Sequence, residues 1–265
     1  MDTGERPPDT TESRGLFGLL ARVWLSIPLW VIAAVGSVVA FGFVLLRAPD
    51  YLDFWNMGAR VRLPSGELVK VPFTRVLIDP TFVLMAAAFV ARHPPKRRNA
   101  SGTAIAIALL GGMYPMIPFF VDGFLKFALP DVRSAWLPYF MEFRMPWWRT
   151  LGGALCIFIG NGLDVWAYAK LFRSFSVVPE ARELVTAGPY RVDRHPVYLG
   201  QIIAQAGVWF FFAAFHGGWI LFWAVFVAIQ LYRSRLEENV LIEAFGDDYR
   251  RFASKAWWVW KRDAP

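Results

Sequence analysis

The sequence predicts an all-α integral membrane protein of about six transmembrane helices, with five as the alternative, closing in a C-terminal helical hairpin. Three observations carry that prediction. Hydrophobic residues make up 56% of the 265 positions and the mean hydropathy is +0.38. Several apolar runs reach or approach the roughly 20 residues that cross a bilayer. The 13 tryptophans are far more than a soluble chain of this length carries. Cys156 is alone and lies in an apolar run, so there is no disulfide framework. The net charge of +7 is spread over loops rather than gathered on one polar domain. That distribution argues against a nucleic-acid partner and for basic juxtamembrane loops facing anionic lipid.

Taken in order, residues 1–22 are polar, contain Pro7-Pro8 and read as a flexible tail. A first N-terminal region, 23–150, follows. Its opening span, Trp24 to Leu46, is too long for a signal-peptide core and reads as retained. The extramembrane loop 47–75 has a turn at Pro64-Ser65-Gly66 between two short β-like or interfacial pieces. The second run, Val76 to Ala91, is short and contains Asp79-Pro80, so it is expected to be tilted, broken or partly inserted. The basic stretch around Arg92-His93-Pro94 reads as a lipid-facing loop. A third span, Thr103 to Ala128, is interrupted by Pro115 and Pro118. Residues 129–147 are aromatic and charged, which suits an interfacial segment.

The remainder, 151–265, forms the second region. A fourth span runs Trp148 to Phe172, a fifth from Val197 to Phe215 and a sixth from Trp219 to Tyr232. His216-Gly217-Gly218 leaves almost no loop between the last two, so they must pair. A charged segment from Arg233, read as a helix followed by an aromatic and basic tail, ends the chain. Between the fourth and fifth spans lies a polar elbow, residues 183–200, with a helix expected to end before Gly188-Pro189 and another to begin near Pro196. A helix start offers free N–H groups and a dipole that favour anions. The arginines of the 92–98 loop, the elbow and the tail place all three, and both termini, on the cytoplasmic side. Loop 47–75, with five basic residues, is the contrary evidence.

If the segment after the sixth span is helical, Arg233, Glu237 and Leu241 share a face and Glu238 sits one position round. An i,i+4 ion pair of Arg233 with Glu237 is the plainer explanation of two of these charges. Gly188-Pro189-Tyr190-Arg191, Arg194-His195-Pro196-Val197-Tyr198-Leu199-Gly200, Arg233, Glu237-Glu238 and Phe245-Gly246-Asp247-Asp248-Tyr249 together are more specific. This set resembles the isoprenylcysteine carboxyl methyltransferase family and the related phospholipid methyltransferases, over about residues 155–255. The resemblance implies methyl transfer from S-adenosylmethionine in a cytosol-facing pocket, to a lipophilic or membrane-permeant acceptor arriving from the bilayer. It implies that Gly188, Tyr190, Arg194, His195, Pro196, Tyr198, Leu199 and Glu237 serve cofactor binding. His195 and Tyr198 would meet the methionine carboxylate and a glutamate the amino group, with Arg233 and Glu238 at the reacting end. No metal is implied.

The chemistry makes compatible demands. Displacement at a sulfonium methyl gains mainly from positioning, worth roughly 7–11 kcal/mol for well-aligned reactants. An arginine suits a carboxylate acceptor, and a glutamate suits a thiol or amine that must lose a proton. Holding both, the sequence leaves the acceptor open among an isoprenylcysteine carboxylate, a lipid amine and a thiol. Asp122, Asn161 and Asp164 lie in apolar runs, where ionisable groups are costly. Asn161 and Asp164 are candidates for interhelical hydrogen bonding or acceptor contact. Two other classes compete. A sterol-type reductase using NADPH has a similar elbow, but Val197 and Gln201 stand where that pattern resembles an asparagine and an acidic residue. A non-enzymatic lipid-binding or assembly protein is the other.

Overall fold

A computed structural model describes residues 15–46, 59–62, 65–66, 68–71, 78–98, 101–140, 146–210 and 217–261. The architecture is helical, with two small antiparallel ribbons. In chain order the elements are α1 (Leu16–Ser26), α2 (Leu29–Leu46), β1 (Ala59–Arg62), β2 (Leu68–Val71), α3 (Ile78–Ala91), β3 (Arg97–Arg98) and α4 (Gly102–Met113). They continue with α5 (Ile117–Ala128), α6 (Pro130–Phe140), α7 (Trp147–Leu171), β4 (Glu180–Ala181), α8 (Pro196–Trp209), α9 (Gly217–Phe245) and α10 (Asp247–Ala253).

The expectation of six spans is corrected. Two helices among the described residues are long and apolar enough to cross a bilayer, Trp147–Ser174 and Gly218–Phe245. The count reaches four if each of two bent pairs is one span. The first pair, α1 and α2, bends by 96° at Ile27-Pro28, because proline cannot continue the hydrogen-bond ladder. The expected first span is therefore α2 alone or with α1, and helix already covers 16–22, which the sequence assigned to the tail. The second pair bends by 59° about a 3₁₀ turn at Tyr114–Met116, between Pro115 and Pro118. Helices α3 and α8 have 14 residues each, near 21 Å at 1.5 Å per residue and short of a ~30 Å hydrocarbon core. The turn at 216 and the end of the fifth span fall outside the described residues.

Other expectations are met. β1 and β2 pair around Ser65-Gly66, with Ala59 opposite Val71. Residues 130–140 are a separate short helix, and Arg133 on it binds Asp122 of α5 at 3.0 and 3.3 Å, so Asp122 is paired between helices. The 92–98 loop, expected to face lipid, instead clamps the elbow. Arg97 and Arg98 pair as a strand with Ala181 and Glu180, the His93 amide donates to Arg173, and Arg97 meets Glu243 of α9 at 2.6 Å.

The helices that carry the elbow are locked by small residues. A Cβ on Gly207 would stand 2.6 Å from the Gly153 carbonyl, and one on Gly160 would stand 2.5 Å from the Gly200 carbonyl. Backbone of α7 thus touches backbone of α8, the close approach that small residues permit where no hydrophobic force separates helix from lipid. α8 then meets α9 through Trp209 stacked on Trp219 at 5.2 Å, and through the Trp223 indole donating to Ile202 at 3.2 Å. The sixth span and the charged segment form one helix, α9, of 29 residues. At about 43 Å it is longer than a hydrocarbon core is thick, and its charged end lies beside the elbow. Enlarging the interface is expected to be costly: Gly207→Leu or Gly160→Leu should cost at least about 1–3 kcal/mol, read as a fall in unfolding temperature in detergent. Gly112→Ala on α4, where a Cβ meets open space, should be neutral or gain about 0.5–1 kcal/mol in the same measurement.

Candidate active site at the elbow and the start of the C-terminal segment

The elbow is built to hold a turn rather than a helix end. α7 stops at Leu171, earlier than expected, and a 3₁₀ turn continues to Ser174. A second 3₁₀ turn, Gly188–Arg191, follows β4. Gly188 has φ +64°, a left-handed conformation that glycine adopts without strain, and its α-carbon lies against Lys170 rather than against the charged cluster. The Asp193 carboxylate accepts from the His195 amide at 2.6 Å, an Asx-type turn that leads into α8, where Pro196 is the first residue as expected. Burial raises the Asp193 carboxyl above its ordinary range, against the lowering effect of that amide.

The structure brings the elbow and α9 together. Glu238 is fully buried; His195 Nε2 lies 3.2 Å and Arg194 2.9 Å from its Oε1, and the Trp260 indole donates to its Oε2 at 2.7 Å. A buried carboxylate is tolerable only with such partners. Glu237, one position round, is part-exposed and accepts from the Tyr198 hydroxyl at 2.8 Å, with His195 Nδ1 4.0 Å away. The Arg233 guanidinium lies over the Tyr198 ring at 5.1 Å, so the elbow tyrosine is held between the arginine and the glutamate of one helix face. Tyr190 is buried, and its phenol is pushed well above the usual range by burial first and by Glu237 next, keeping it a donor. Leu199 is half-buried in the first turn of α8 and its amide bonds His195. Arg233, Glu237, Glu238, Arg194, His195 and Tyr198 therefore form one constellation, with Pro196 and Leu199 shaping its turn and Gly188 at a distance.

Residues with no assigned role in the sequence also join it. Arg233 donates to Gln230 at 2.8 Å, Gln230 donates to Gln201, and Gln201 approaches the Tyr168 hydroxyl at 3.4 Å. This polar seam runs from the rim between α7, α8 and α9. Asp164 is buried beside Gly200, and its Oδ1 has no hydrogen-bond partner. The i,i+4,i+8 spacing of Gln230, Ser234 and Glu238 was the available signal for the seam. The Trp257-Trp258-Val259-Trp260 tail carried no such periodic signal.

A cleft opens beside this constellation, lined by Ser174, Ser176, Val177, Glu180, Tyr198 and Glu237. The cleft is partly open, with about 260 Å³ of empty space that includes open solvent. The donor set fits the amino-acid end of S-adenosylmethionine. A part-exposed carboxylate at Glu237 suits an ammonium group. Arg233, whose buried Nε has no hydrogen-bond partner among the described residues, suits a carboxylate.

Exchanging the two glutamates separates their environments. Glu238→Gln should destabilise the fold, because Arg194 loses its buried counter-charge, whereas Glu237→Gln at the part-exposed position should leave the unfolding temperature nearly unchanged. Thermal unfolding in detergent reads both, and equal losses would contradict the contrast in burial.

A family model described as phospholipid methyltransferase matches residues 148–248, which takes in α7, the elbow, α8 and nearly all of α9. No curated protein matches the chain. Residues 148–248 thus match a phospholipid methyltransferase domain, and that match supports S-adenosylmethionine-dependent methyltransferase activity.

Proposed function

We propose that the protein transfers a methyl group to a lipophilic acceptor at the cytosolic rim of the membrane, a phospholipid amine being the first candidate. One observation carries the reading: two segments some forty residues apart in sequence converge on one charged cluster where a long apolar helix becomes polar. Glu237, which lines the cleft, and Arg233, on the other side of Tyr198, hold the amino-acid end of the cofactor. When bound, the cofactor supplies an electrophilic methyl group on a sulfonium. Glu238, saturated by Arg194, His195 and Trp260, acts as a positioning residue that fixes the orientation of His195. Tyr190 and Gly188 shape the elbow behind it.

The acceptor side rests on the apolar surroundings. Large apolar side chains such as Phe158, Trp166 and Leu221 are exposed on α7 and α9, as lipid-facing surfaces are. A lipid acceptor reaches the rim along them without leaving the bilayer. The polar seam of Gln201, Gln230 and Tyr168 offers neutral hydrogen bonds along that route. Arg233 favours a second reading, a lipophilic carboxylate acceptor, because its guanidinium matches a carboxylate fork. The elbow, the 92–98 loop and the charged end of α9 are packed together with their basic residues, which supports a common cytoplasmic side.

Labelled S-adenosylmethionine given to detergent-solubilised protein with phosphatidylethanolamine vesicles should label the lipid. Label in a free fatty acid or a prenylated cysteine methyl ester instead would select the carboxylate reading, and label in no lipid would overturn both. Calorimetry should show binding of S-adenosylmethionine in the micromolar range and none of NADPH. His195→Ala and Glu237→Ala should each lower turnover at least about 100-fold, the scale of a lost charged contact in the transition state. Wild-type turnover in both would remove the site.

A further inference from the structure

The C-terminal segment after α10 lies outside the matched domain, yet it reaches into the site at three places. Its backbone docks on the elbow: the Trp257 amide donates to Val192 at 2.7 Å and the Arg194 amide donates to Trp257 at 3.0 Å, a parallel bridge beside Asp193. The Trp260 carbonyl accepts from the Arg194 guanidinium, while the Trp260 indole donates to Glu238 Oε2. Trp258 is 5% exposed; its ring lies 4.9 Å from the His195 imidazole and its indole donates to Ser234 at 3.2 Å. Trp257 and Val259, which alternate with these, are 56% and 59% exposed. An extended strap thus points every second side chain inward, onto His195 and Glu238, as strand alternation requires.

We propose that residues 256–261 are a working part of the methyltransferase site, with Trp258 and Trp260 as positioning residues for His195 and Glu238. The physical need is visible in the partners. The Glu238 carboxyl lies at zero exposure, and Arg194 and His195 both approach the same oxygen, Oε1. Trp260 serves the other oxygen and so sets the rotation of the carboxylate. Rotation of the carboxylate moves the imidazole that faces it. Trp258 closes the opposite side of the imidazole with an apolar wall, which limits ring rotation and keeps water from competing for the carboxylate. Neither tryptophan faces the cleft, so neither touches cofactor or acceptor. Seating of the strap is then the last step that completes the site, because the elbow's own residues do not supply these contacts.

This inference rests on the proposed methyltransferase reading, and the test separates the two. In full-length protein in detergent, Trp260→Phe keeps the aromatic ring and removes only the donor to Glu238. It should weaken S-adenosylmethionine binding by calorimetry about tenfold, the scale of one hydrogen bond to a buried charge. Trp260→His restores an N–H and should recover part of the loss, whereas a purely structural role predicts loss in both. Val259→Ala, on the outward face, should leave binding unchanged. Hydrogen exchange gives a readout free of any cofactor: Trp258→Ala should speed exchange of amides in 193–200 and 234–240 while α7 stays protected. Unchanged exchange in both segments, or wild-type binding by Trp260→Phe, overturns the role of the strap. Faster exchange together with no binding of S-adenosylmethionine by the wild type sinks the methyltransferase reading and leaves the strap's hold on the cluster standing.

Discussion

The buried carboxylate of Glu238 is the constraint around which the C-terminal half is arranged. A carboxylate at zero exposure is costly unless it is well partnered, and two segments supply its partners: the elbow through Arg194 and His195, and the C-terminal strap through Trp260. Both segments have to be delivered to the same point on α9. The long α9 carries the carboxylate, and the α7–α8 pair carries the elbow to it. Any shift of one helix along its axis would leave a charge without its partner.

That requirement explains the packing beneath it. The Gly153–Gly207 and Gly160–Gly200 contacts bring backbone against backbone, so α7 and α8 have little freedom to slide. The same closeness puts Gly200, the last residue of the elbow, beside Asp164 of α7. On the other side, β3 and β4 tie the elbow's approach to the N-terminal region, where Arg98 and Arg182 share the buried Glu180 at 3.1 and 2.7 Å. Burial lowers the Arg182 guanidinium to about 10, and Glu180 opposes that effect. The N-terminal region, for which the sequence offered no role beyond anchoring, thus braces the approach to the site.

The separation between the two glutamates has a chemical consequence. Glu237 and Glu238 are adjacent in sequence and look equivalent there. One helical step of about 100° turns Glu238 into the protein and leaves Glu237 at the cleft beside Tyr198. A carboxylate already engaged by a guanidinium, an imidazole and an indole is poorly suited to accept a substrate proton. Glu237 is the one of the pair that lines the cleft, while Glu238 gathers Arg194, His195 and Trp260 behind it.

The sequence by itself determined the helical class, the turn at Ser65-Gly66 and the start of α8 at Pro196, and it singled out Arg194, His195, Tyr198, Arg233, Glu237 and Glu238, which the fold brings together. Hydropathy, proline placement and short-range spacing are local properties, and these features follow from them. Pro28 marks a break in the sequence, but only the tertiary structure decided how sharply α1 and α2 bend there, by 96°, and so how many runs are long enough to cross. It also decided that the 92–98 loop grips the elbow and that Trp258 and Trp260 fold back onto His195 and Glu238. Those contacts join residues more than twenty positions apart, and no periodicity in the chain records a partner that only the folded backbone brings within reach.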